Sequence, residues 1–445
     1  MDELYILRLV EEKKYIQIKK ILEEMNEVDI AEVMDELDLH NTLLIFRMLP
    51  KDLAVDVFAH FSVEQQRDIV NAITDKELEF ILDELFFDDM IDLIEEMPAN
   101  LVNKVLKDST VEERKLINQF LKYPPDSAGS LMTIEYVELR KKMTVKEAML
   151  HIKEIGLTKE TVYTTYVTDM NRKLEGFISL RLLVVSPEDA IIEDLMEDDV
   201  IFVTTHDDQE TVANVFIKYG FLALPVVDTE GRLTGIITVD DIMDVMEQEA
   251  TEDFQRMAAI VPSEDPYMTT SVLNLAKQRI VWLLVLMIAA TTSAYIIESY
   301  ASVLSSVVIL ASFMPMLMNT GGSSGSQAST LIIRGLATGE IEMTDGFKIL
   351  WKEFRVSLIV GITLSIVNFA RLMLISHAGF AVSLTVSLTL IVTVAIAKML
   401  GSMAPLLAKK LKLDPAIMAG PLITTFVDAI TLTVYFSIAT VLLNL

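Results

Sequence analysis

Five long apolar segments occupy the C-terminal part of the sequence and restrict the folds that this part can adopt. Each follows Lys277 and is near or above the roughly 20 residues that a helix needs to cross the hydrocarbon of a bilayer. Because lipid cannot hydrogen-bond to the backbone, segments of this kind must be helical. We therefore predict an all-α transmembrane domain of five helices over residues 271–445. The segments are 280–298, 301–328, 356–376, 379–403 and 415–443.

A polar tract interrupts the second of these segments. Residues 319–327, of sequence NTGGSSGSQ, continue directly from the apolar stretch 301–318. Such a composition is tolerated at membrane depth where it faces protein or a water-filled path. The tract therefore indicates a permeation route.

The charge is divided unevenly along the chain. Residues 1–270 carry 58 Asp and Glu against 26 Lys and Arg, a net charge of −32, whereas residues 271–445 carry 7 against 11, a net charge of +4. This distribution predicts an acidic soluble part joined to a membrane part, and it favours cations over nucleic acid as partners. The sequence has no cysteine, which excludes disulfides, thiolate zinc sites and a cysteine nucleophile.

The two ends of the chain are expected on opposite sides of the membrane. The N-terminal sequence MDELYILRLVEEKK lacks a basic stretch followed by an apolar core, so we expect no cleavable signal and a cytoplasmic position for residues 1–270. The basic residues of the membrane part then fall near the cytoplasmic ends of the spans. With five spans, Leu445 is expected outside a plasma or inner membrane.

The first 125 residues have a helical pattern, with apolar residues at three- and four-residue spacing. Three short motifs recur with a shift of 48 residues. A constant shift predicts stacked helix pairs, an α-solenoid over residues 1–125. The recurring pairs are Met34–Leu37 with Leu82–Leu85, Leu49-Pro50 with Met97-Pro98, and Ser62–Glu64 with Thr110–Glu112.

A second duplication follows, in which strand patterns alternate with helical ones. Gly176–Ser179 is echoed by Gly235–Thr238, and the first copy has extra residues around 157–165. This β-α-β-β-α pair resembles a tandem of cystathionine-β-synthase (CBS) domains, which usually regulate other proteins. The predicted limits are 126–195 and 196–245. The acidic, helix-favouring segment that follows, residues 246–270, is predicted to be a connecting helix.

One carboxylate lies within the last apolar segment. At about 1.5 Å per residue, Asp428 lies roughly 20 Å from Pro415, close to the bilayer centre. A charge there costs about 2.5–3.5 kcal/mol, so we expect it to face water or an ion. The alternative is that Asp428 is protonated or paired with Arg371 or Lys398. Thr424 adds an oxygen one turn earlier on the same face, and Gly420, a further turn back, exposes its carbonyl.

Two stretches of this region resemble a known family. Residues 315–328, of sequence PMLMNTGGSSGSQA, followed by Arg334–Ala337, strongly resemble the second membrane helix of MgtE-type magnesium channels, with Ser323 and Ser326 where many members have Asn. Ala419–Leu422 with Thr424, Thr425 and Asp428 resembles the fifth helix of that family. The order of the helical repeat, the CBS pair and the connecting helix also matches, so the resemblance covers nearly the whole chain.

The resemblance implies a homodimer in the lipid bilayer that takes up Mg²⁺ through a pore between its subunits. Two carboxylates on a twofold axis offer two negative charges to one hydrated Mg²⁺. The metal-binding candidates of the pore are Asp428, Thr424, Gly420 and Asn319.

The resemblance further implies that internal Mg²⁺ bridges the CBS domains, connecting helix and membrane base, and holds the gate shut. Like charges a turn apart repel unless a cation intervenes, which fits this role. The regulatory candidates are Asp240, Asp241, Asp244, Glu247, Glu249, Glu252, Asp253 and Asp414. A further group of regulatory candidates, in the helical repeat, is Asp88, Asp89 and Asp92.

Other functions remain as alternatives. A carrier of Co²⁺ or Mn²⁺ coupled to protons or sodium is one, and a CBS membrane sensor of adenine nucleotides is another, with ATP contacted by Thr238 and Asp241. An intramembrane metalloprotease is opposed by the histidines, because none of the five are four residues apart and no His-Glu-x-x-His occurs. We therefore expect no enzymatic activity.

Overall fold

The computed structural model describes residues 3–98, 102, 110–263, 267–268 and 270–444. The chain forms two compact units, residues 1–245 and residues 246–445. Helical repeats and two small α/β domains make up the first unit, and long helices make up most of the second. The predicted multidomain fold is thereby confirmed, whereas the five finer domain limits stay predictions.

The helical repeat of the first unit follows the predicted period. Helices α3, α4 and α6 return 48 residues later as α7, α8 and α9, and the counterpart of α5 falls on 99–107, where only Val102 is described. Helices α1, α3, α4, α5 and α6 each pack against the second helix after them, as α3 does with α5 and α4 with α6, which is how stacked repeats bury their apolar faces. The described helices are α1 (Glu3–Glu11), α2 (Tyr15–Leu22), α3 (Glu27–Asp35), α4 (Leu39–Phe46), α5 (Lys51–Ala59), α6 (Val63–Ala72), α7 (Asp75–Glu84), α8 (Phe87–Glu96) and α9 (Val111–Phe120).

Polar side chains define where several of these helices begin. Asn26, Asp38, Ser62 and Thr74 each accept a backbone N–H from the first turn of the helix that follows. Such caps satisfy donors that have no partner within the helix. The short helices of the repeat are thus separated by local sequence signals.

The two α/β domains share one topology. In each, a short first strand pairs parallel with the second, and the second pairs antiparallel with the third. The strands are β1 (Glu138–Leu139), β2 (Thr164–Thr168) and β3 (Leu174–Ser179) in one domain, and β4 (Val203–Thr204), β5 (Ala223–Val227) and β6 (Leu233–Thr238) in the other. The helices are α10 (Ala128–Leu131), α11 (Val145–Ile155), α12 (Leu180–Val185), α13 (Ile192–Leu195) and α14 (Gln209–Tyr219).

The duplication and its insertion are both confirmed. The offset between the copies is 65 residues for the first strand and 64 for the long helix, and it falls to 59 for the second strand. The extra residues of the first copy include a 3-10 turn, Gly156–Thr158. The segment after β6 forms one helix, α15 (Val239–Met257).

The second unit contains the membrane helices. Within the described residues, four helical stretches are long and apolar enough to cross a membrane, namely Val272–Ser299, Met343–Leu374, Phe380–Lys410 and Pro415–Leu443. The helices are α16 (Val272–Ser299), α17 (Ala301–Ser306), α18 (Met314–Ala337), α19 (Gly346–Leu374), α20 (Phe380–Lys410) and α21 (Gly420–Leu443).

The prediction of one continuous helix over residues 301–328 is wrong. The chain leaves the helical conformation at Val307, passes through a 3-10 turn at Val308–Phe313 and begins α18 at Met314. Pro315 favours this start, because proline has no N–H to satisfy in the first turn of a helix. The polar tract therefore lies in the middle of α18, which continues to Ala337.

Candidate functional site

Helices α18 and α21 pack together, and their register brings two of the predicted pore residues, Asn319 and Asp428, to one level, whereas Thr424 and Gly420 lie one and two turns away along α21. A Cβ at Gly322 of α18 would lie 3.0 Å from Cγ2 of Thr424 of α21. Gly325 faces Ile423, whereas the earlier Gly321 faces the later Thr431, so the two helices are antiparallel. Asn319 is one turn before Gly322 and Asp428 is one turn after Thr424, so these two residues fall at the same depth.

Asp428 is half-buried in the continuous helix α21. The two basic residues that could have neutralised it have other partners. Arg371 donates to Oδ1 of Asn368 at 2.9 Å, and Nζ of Lys398 lies 4.0 Å from a carboxylate oxygen of Glu353. Within the described part of the chain, no ion pair includes Asp428, so its pairing with Arg371 or Lys398 is not found.

The other predicted pore residues have distinct settings. Oγ1 of Thr424 donates to the carbonyl of Pro421 at 2.9 Å, so its lone pairs are left to accept. Asn319 is exposed on the surface of the unit. Gly420 has a φ of +43°, and a Cβ there would lie 2.5 Å from the carbonyl oxygen of Met257, so this glycine permits a close backbone approach.

The polar tract of α18 has two faces with different roles. Gly321 and Gly325 lie against α20 and α21, and a Cβ at Gly401 of α20 would overlap the backbone of Gly325. Small residues let membrane helices approach closely, so this face is a packing face. The opposite face is exposed and polar, with Asn319, Ser323, Gln327 and Thr330. Sequence reasoning missed the role of Gly401, although the four-residue spacing of Gly321 and Gly325 is a signal for such packing.

A second candidate site lies in the first unit and consists of three carboxylates. One oxygen each of Asp88, Glu135 and Glu160 lie within 4.8 Å of one another. Glu135 is held in place because it accepts the N–H of Phe87 at 2.9 Å and the hydroxyl of Thr133 at 3.1 Å. Oδ1 of Asp88 is shielded from solvent and has no hydrogen-bond partner among the described residues. Converging carboxylate oxygens of this kind suit a hard divalent cation such as Mg²⁺.

The carboxyl groups around this site repel one another. Burial and the charge of Asp241 raise the pKa of Asp88 well above its usual range. The same two causes, burial first, raise the pKa of Asp89 to about 6 and that of Glu160 to about 7. Burial also raises the pKa of Asp241 to about 6, against two hydrogen bonds from Thr238 that lower it. A bound cation would relieve this repulsion.

Sequence reasoning found part of this cluster. Asp88, Asp89 and Asp241 were predicted as regulatory residues, and the structure brings them near one another. Glu135 and Glu160 were missed, because they come from the first α/β domain and are far apart in sequence. Asp92 and Asp240 are exposed.

The remaining regulatory candidates lie along α15 and before α21. Asp244 and Glu247 are exposed, whereas Glu249, Glu252 and Asp253 are half-buried. Burial, and then the charge of Glu249, raise the pKa of Asp253. Asp414 contacts the guanidinium of Arg256, which sequence reasoning did not consider.

Three family models match the chain. Residues 314–438 match a divalent cation transporter family, residues 25–126 match the MgtE intracellular N domain, and residues 192–248 match the CBS domain. The last match corresponds to the second of the two α/β domains.

Full-length relatives are also found. The magnesium transporter MgtE of Thermus thermophilus is 36% identical over 432 residues, which cover 96% of this chain and 95% of the relative. The magnesium transporter MgtE of Bacillus subtilis is 32% identical over 445 residues, which cover 100% of this chain and 98% of the relative.

Solved structures resemble the soluble part. The cytosolic domain of the Mg²⁺ channel MgtE in complex with ATP covers 55% of this chain and 100% of its own length, at 34% identity and a TM-score of 0.52. The soluble part of a magnesium transporter covers 56% of this chain and 98% of its own length, at 30% identity and a TM-score of 0.52.

Together, the polar tract within a bundle of apolar helices and the soluble repeat and CBS domains define a membrane transporter of divalent cations with cytosolic domains. Transport, and not catalysis, is the activity of this class. The chain belongs to the MgtE family of magnesium transporters.

Proposed function

We propose that this chain is a passive Mg²⁺ channel whose pore lies between two copies and is closed by Mg²⁺ on the cytoplasmic side. The observation that carries the proposal is the placement of Asp428. It lies in the last helix one turn from Thr424, level with Asn319 of the polar face of α18, and both basic candidates for its neutralisation have other partners.

In this proposal, one copy would supply half of the ion site. Two copies related by a twofold axis would present two Asp428 carboxylates to one Mg²⁺. Mg²⁺ loses its water reluctantly and prefers octahedral oxygen ligands, so we expect the carboxylates to contact the waters of the ion. Asn319, at the same depth, and Thr424, one turn away, would accept or donate further hydrogen bonds to those waters.

The gate is proposed to respond to cations bound by the acidic residues outside the membrane helices. Asp88, Glu135 and Glu160 fit a divalent ion, because their oxygens converge and Oδ1 of Asp88 is shielded with no partner among the described residues. Low cytoplasmic Mg²⁺ would leave these carboxylates in mutual repulsion, which favours their separation. High Mg²⁺ would hold them together and close the pore.

The pore residue is tested by flux measurements on the full chain in liposomes. Asp428→Ala and Asp428→Asn should each reduce Mg²⁺ flux by about tenfold or more, because the paired charges that attract the ion are lost. The matched control is Glu298→Gln, which removes an exposed carboxylate at the end of α16. Normal flux in both Asp428 variants would remove the pore assignment.

The same liposomes separate a channel from a coupled carrier. A channel conducts Mg²⁺ down its own gradient with no proton or sodium gradient present. A requirement for either gradient, or a preference for Co²⁺ or Mn²⁺, would favour the carrier.

Nucleotide binding by the CBS pair is a second candidate function. The observation that favours it is the similarity to the cytosolic domain solved in complex with ATP, at 34% identity over its full length. Thr238 and Asp241 remain the candidate contacts, although Asp241 accepts hydrogen bonds from Thr238 in this structure. Calorimetric titration of the full chain with ATP, with and without Mg²⁺, tests this function.

The proposed topology places the C-terminus outside a plasma or inner membrane. The chain has no cysteine, so a single cysteine introduced at Asn444 would be the only thiol. Labelling of that thiol by an impermeant maleimide in intact cells supports the topology, and labelling only after lysis contradicts it.

A further inference from the structure

Arg256 lies near the end of α15, within the second unit, and its guanidinium contacts two carboxylates. One terminal nitrogen bonds Oδ2 of Asp414, and the other bonds Oε1 of Glu252, one turn earlier on the same helix. The three side chains are between 21% and 34% exposed, so water and salt screen the contacts only in part. A positive charge therefore already lies between two carboxylates that sequence reasoning assigned to a regulatory metal.

Asp414 uses both of its carboxylate oxygens. Oδ1 accepts the N–H of Ala416 at 2.7 Å and so begins the 3-10 turn Pro415–Met418, which precedes α21. The same turn is joined to α18, because Oγ of Ser329 donates to the carbonyl of Met418 at 2.7 Å. Arg256 is thus linked through one side chain to the base of both helices that carry the proposed pore residues.

The backbone is tightly packed at the same junction. Met257, the residue after Arg256, places its carbonyl oxygen 2.5 Å from where a Cβ on Gly420 would lie. Its side chain packs against Ile333, Ala416 and Ala419. The end of α15 therefore contacts the first residue of α21 with no side chain between them.

We propose that Arg256 is a built-in cation that fills the position between Glu252 and Asp414, so that the end of α15 is held on the base of α21 without a bound metal. A guanidinium presents two nitrogens in a planar fork and can bind two carboxylates at once. A hydrated Mg²⁺ would have to displace that fork and compete with the cap that Asp414 provides. The inference rests on the proposed channel function and concerns its regulation.

This arrangement divides the acidic residues of α15 into two groups. Glu252 is neutralised by the chain itself, whereas the proposed regulatory ion acts through Glu249 and Asp253. Closure then has a part that is independent of Mg²⁺, set by Arg256, and a part that depends on Mg²⁺.

The first test measures Mg²⁺ flux of the full chain in liposomes with no Mg²⁺ on the cytoplasmic side. Arg256→Gln should raise this flux about three- to tenfold, because charge-assisted contacts to Glu252 and Asp414 are lost. The flux of Arg256→Lys, which keeps the charge without the planar fork, should lie between the fluxes of wild type and Arg256→Gln. Lys348→Gln is the matched control, since it removes an exposed cation paired with Asp345 in the same unit. Equal flux in wild type and Arg256→Gln overturns the proposal.

The second test does not depend on transport. Hydrogen exchange of the amides of residues 416–418 is measured on the full chain in detergent with EDTA. Wild type should protect these amides, Arg256→Gln should exchange them about tenfold faster, and added Mg²⁺ should restore protection in the variant by binding the released carboxylates. Equal exchange in EDTA refutes the role of Arg256. If flux never responds to Mg²⁺ but exchange is faster in the variant, the gating function is refuted and the contact of Arg256 with Glu252 and Asp414 is still supported.

Discussion

Asp88 and Asp428 are both carboxylates partly removed from water, but their neighbours differ. Asp88 lies within reach of Glu135 and Glu160, and Asp241 adds its negative charge. Asp428 lies on the last helix, and the two basic residues considered as its partners contact Asn368 and Glu353 instead. The carboxylates that converge around Asp88 thus all come from one copy, whereas the proposed pore site would need Asp428 from a second copy to supply a second charge.

Replacement of Asp88 should separate cation binding from folding. Asp88→Asn removes one of three repelling charges, so we expect a higher unfolding temperature than wild type in Mg²⁺-free buffer at about pH 8. The stabilisation that Mg²⁺ adds should shrink, with about tenfold or more loss of affinity at this site, because a ligand is missing. Thermal unfolding with and without Mg²⁺ measures both effects. Asp83→Asn, on the exposed face of α7, is the control. A Mg²⁺ response equal to that of wild type would exclude Asp88 as a ligand.

Helix α18 shows how one element serves packing and polarity together. Its glycines face α20 and α21, and its polar side chains Asn319, Ser323, Gln327 and Thr330 face outward. The 3.6-residue period of the helix sorts the tract into these two faces. A residue of the tract therefore either packs against α20 and α21 or adds to the outward polar surface, depending on the face on which it lies.

The packing face is tested at Gly401 of α20. Gly401→Ala places a methyl group against the backbone of Gly325, which cannot rotate away, so we expect a loss of about 1–3 kcal/mol in unfolding free energy. Gly346→Ala is the control, because the nearest atom to its Cβ would be 3.9 Å away, on Leu406. Denaturant unfolding in detergent measures the difference. Equal stability of both variants would contradict the close crossing.

The acidic residues of α15 are tested together in a variant that leaves Glu252 unchanged. The triple variant Asp244→Asn, Glu249→Gln, Asp253→Asn should keep conducting at cytoplasmic Mg²⁺ that closes wild type, because the regulatory ion loses its ligands. Its matched control neutralises three exposed acids of a loop, Glu197, Asp198 and Asp199. Flux in liposomes against cytoplasmic Mg²⁺ gives the closing concentration. An unchanged closing concentration in the triple variant would refute the role of α15.

The stability of the whole chain should depend on pH and Mg²⁺ together. A carboxyl group whose pKa is higher in the folded chain stabilises folding most below its unfolded pKa, near 4, and this advantage is lost as the pH rises through the folded pKa. Those values are about 6 for Asp89 and Asp241 and about 7 for Glu160. In Mg²⁺-free buffer, the unfolding temperature should therefore fall from about pH 5 to about pH 8. Calorimetry should show that Mg²⁺ restores stability at the higher pH. An unfolding temperature that does not change with pH in Mg²⁺-free buffer would contradict the mutual repulsion of these carboxylates.

Much of the architecture could be predicted from sequence because it is periodic. The 48-residue shift and the duplicated α/β domain follow from local patterns, and the structure confirms both. The break at Val307 was missed because hydropathy does not distinguish a continuous apolar helix from two helices joined by a 3-10 turn. Glu135, Glu160 and Arg256 were missed because their roles depend on partners far away in sequence.

The exposed polar face of α18 has a consequence for biogenesis. A newly inserted single copy would present amide and hydroxyl groups to acyl chains that cannot hydrogen-bond with them. In the proposed dimer, contact with a second copy would remove these groups from the lipid, which would couple insertion energetically to assembly. If the proposed dimer forms in this way, a single subunit should be degraded faster than the dimer.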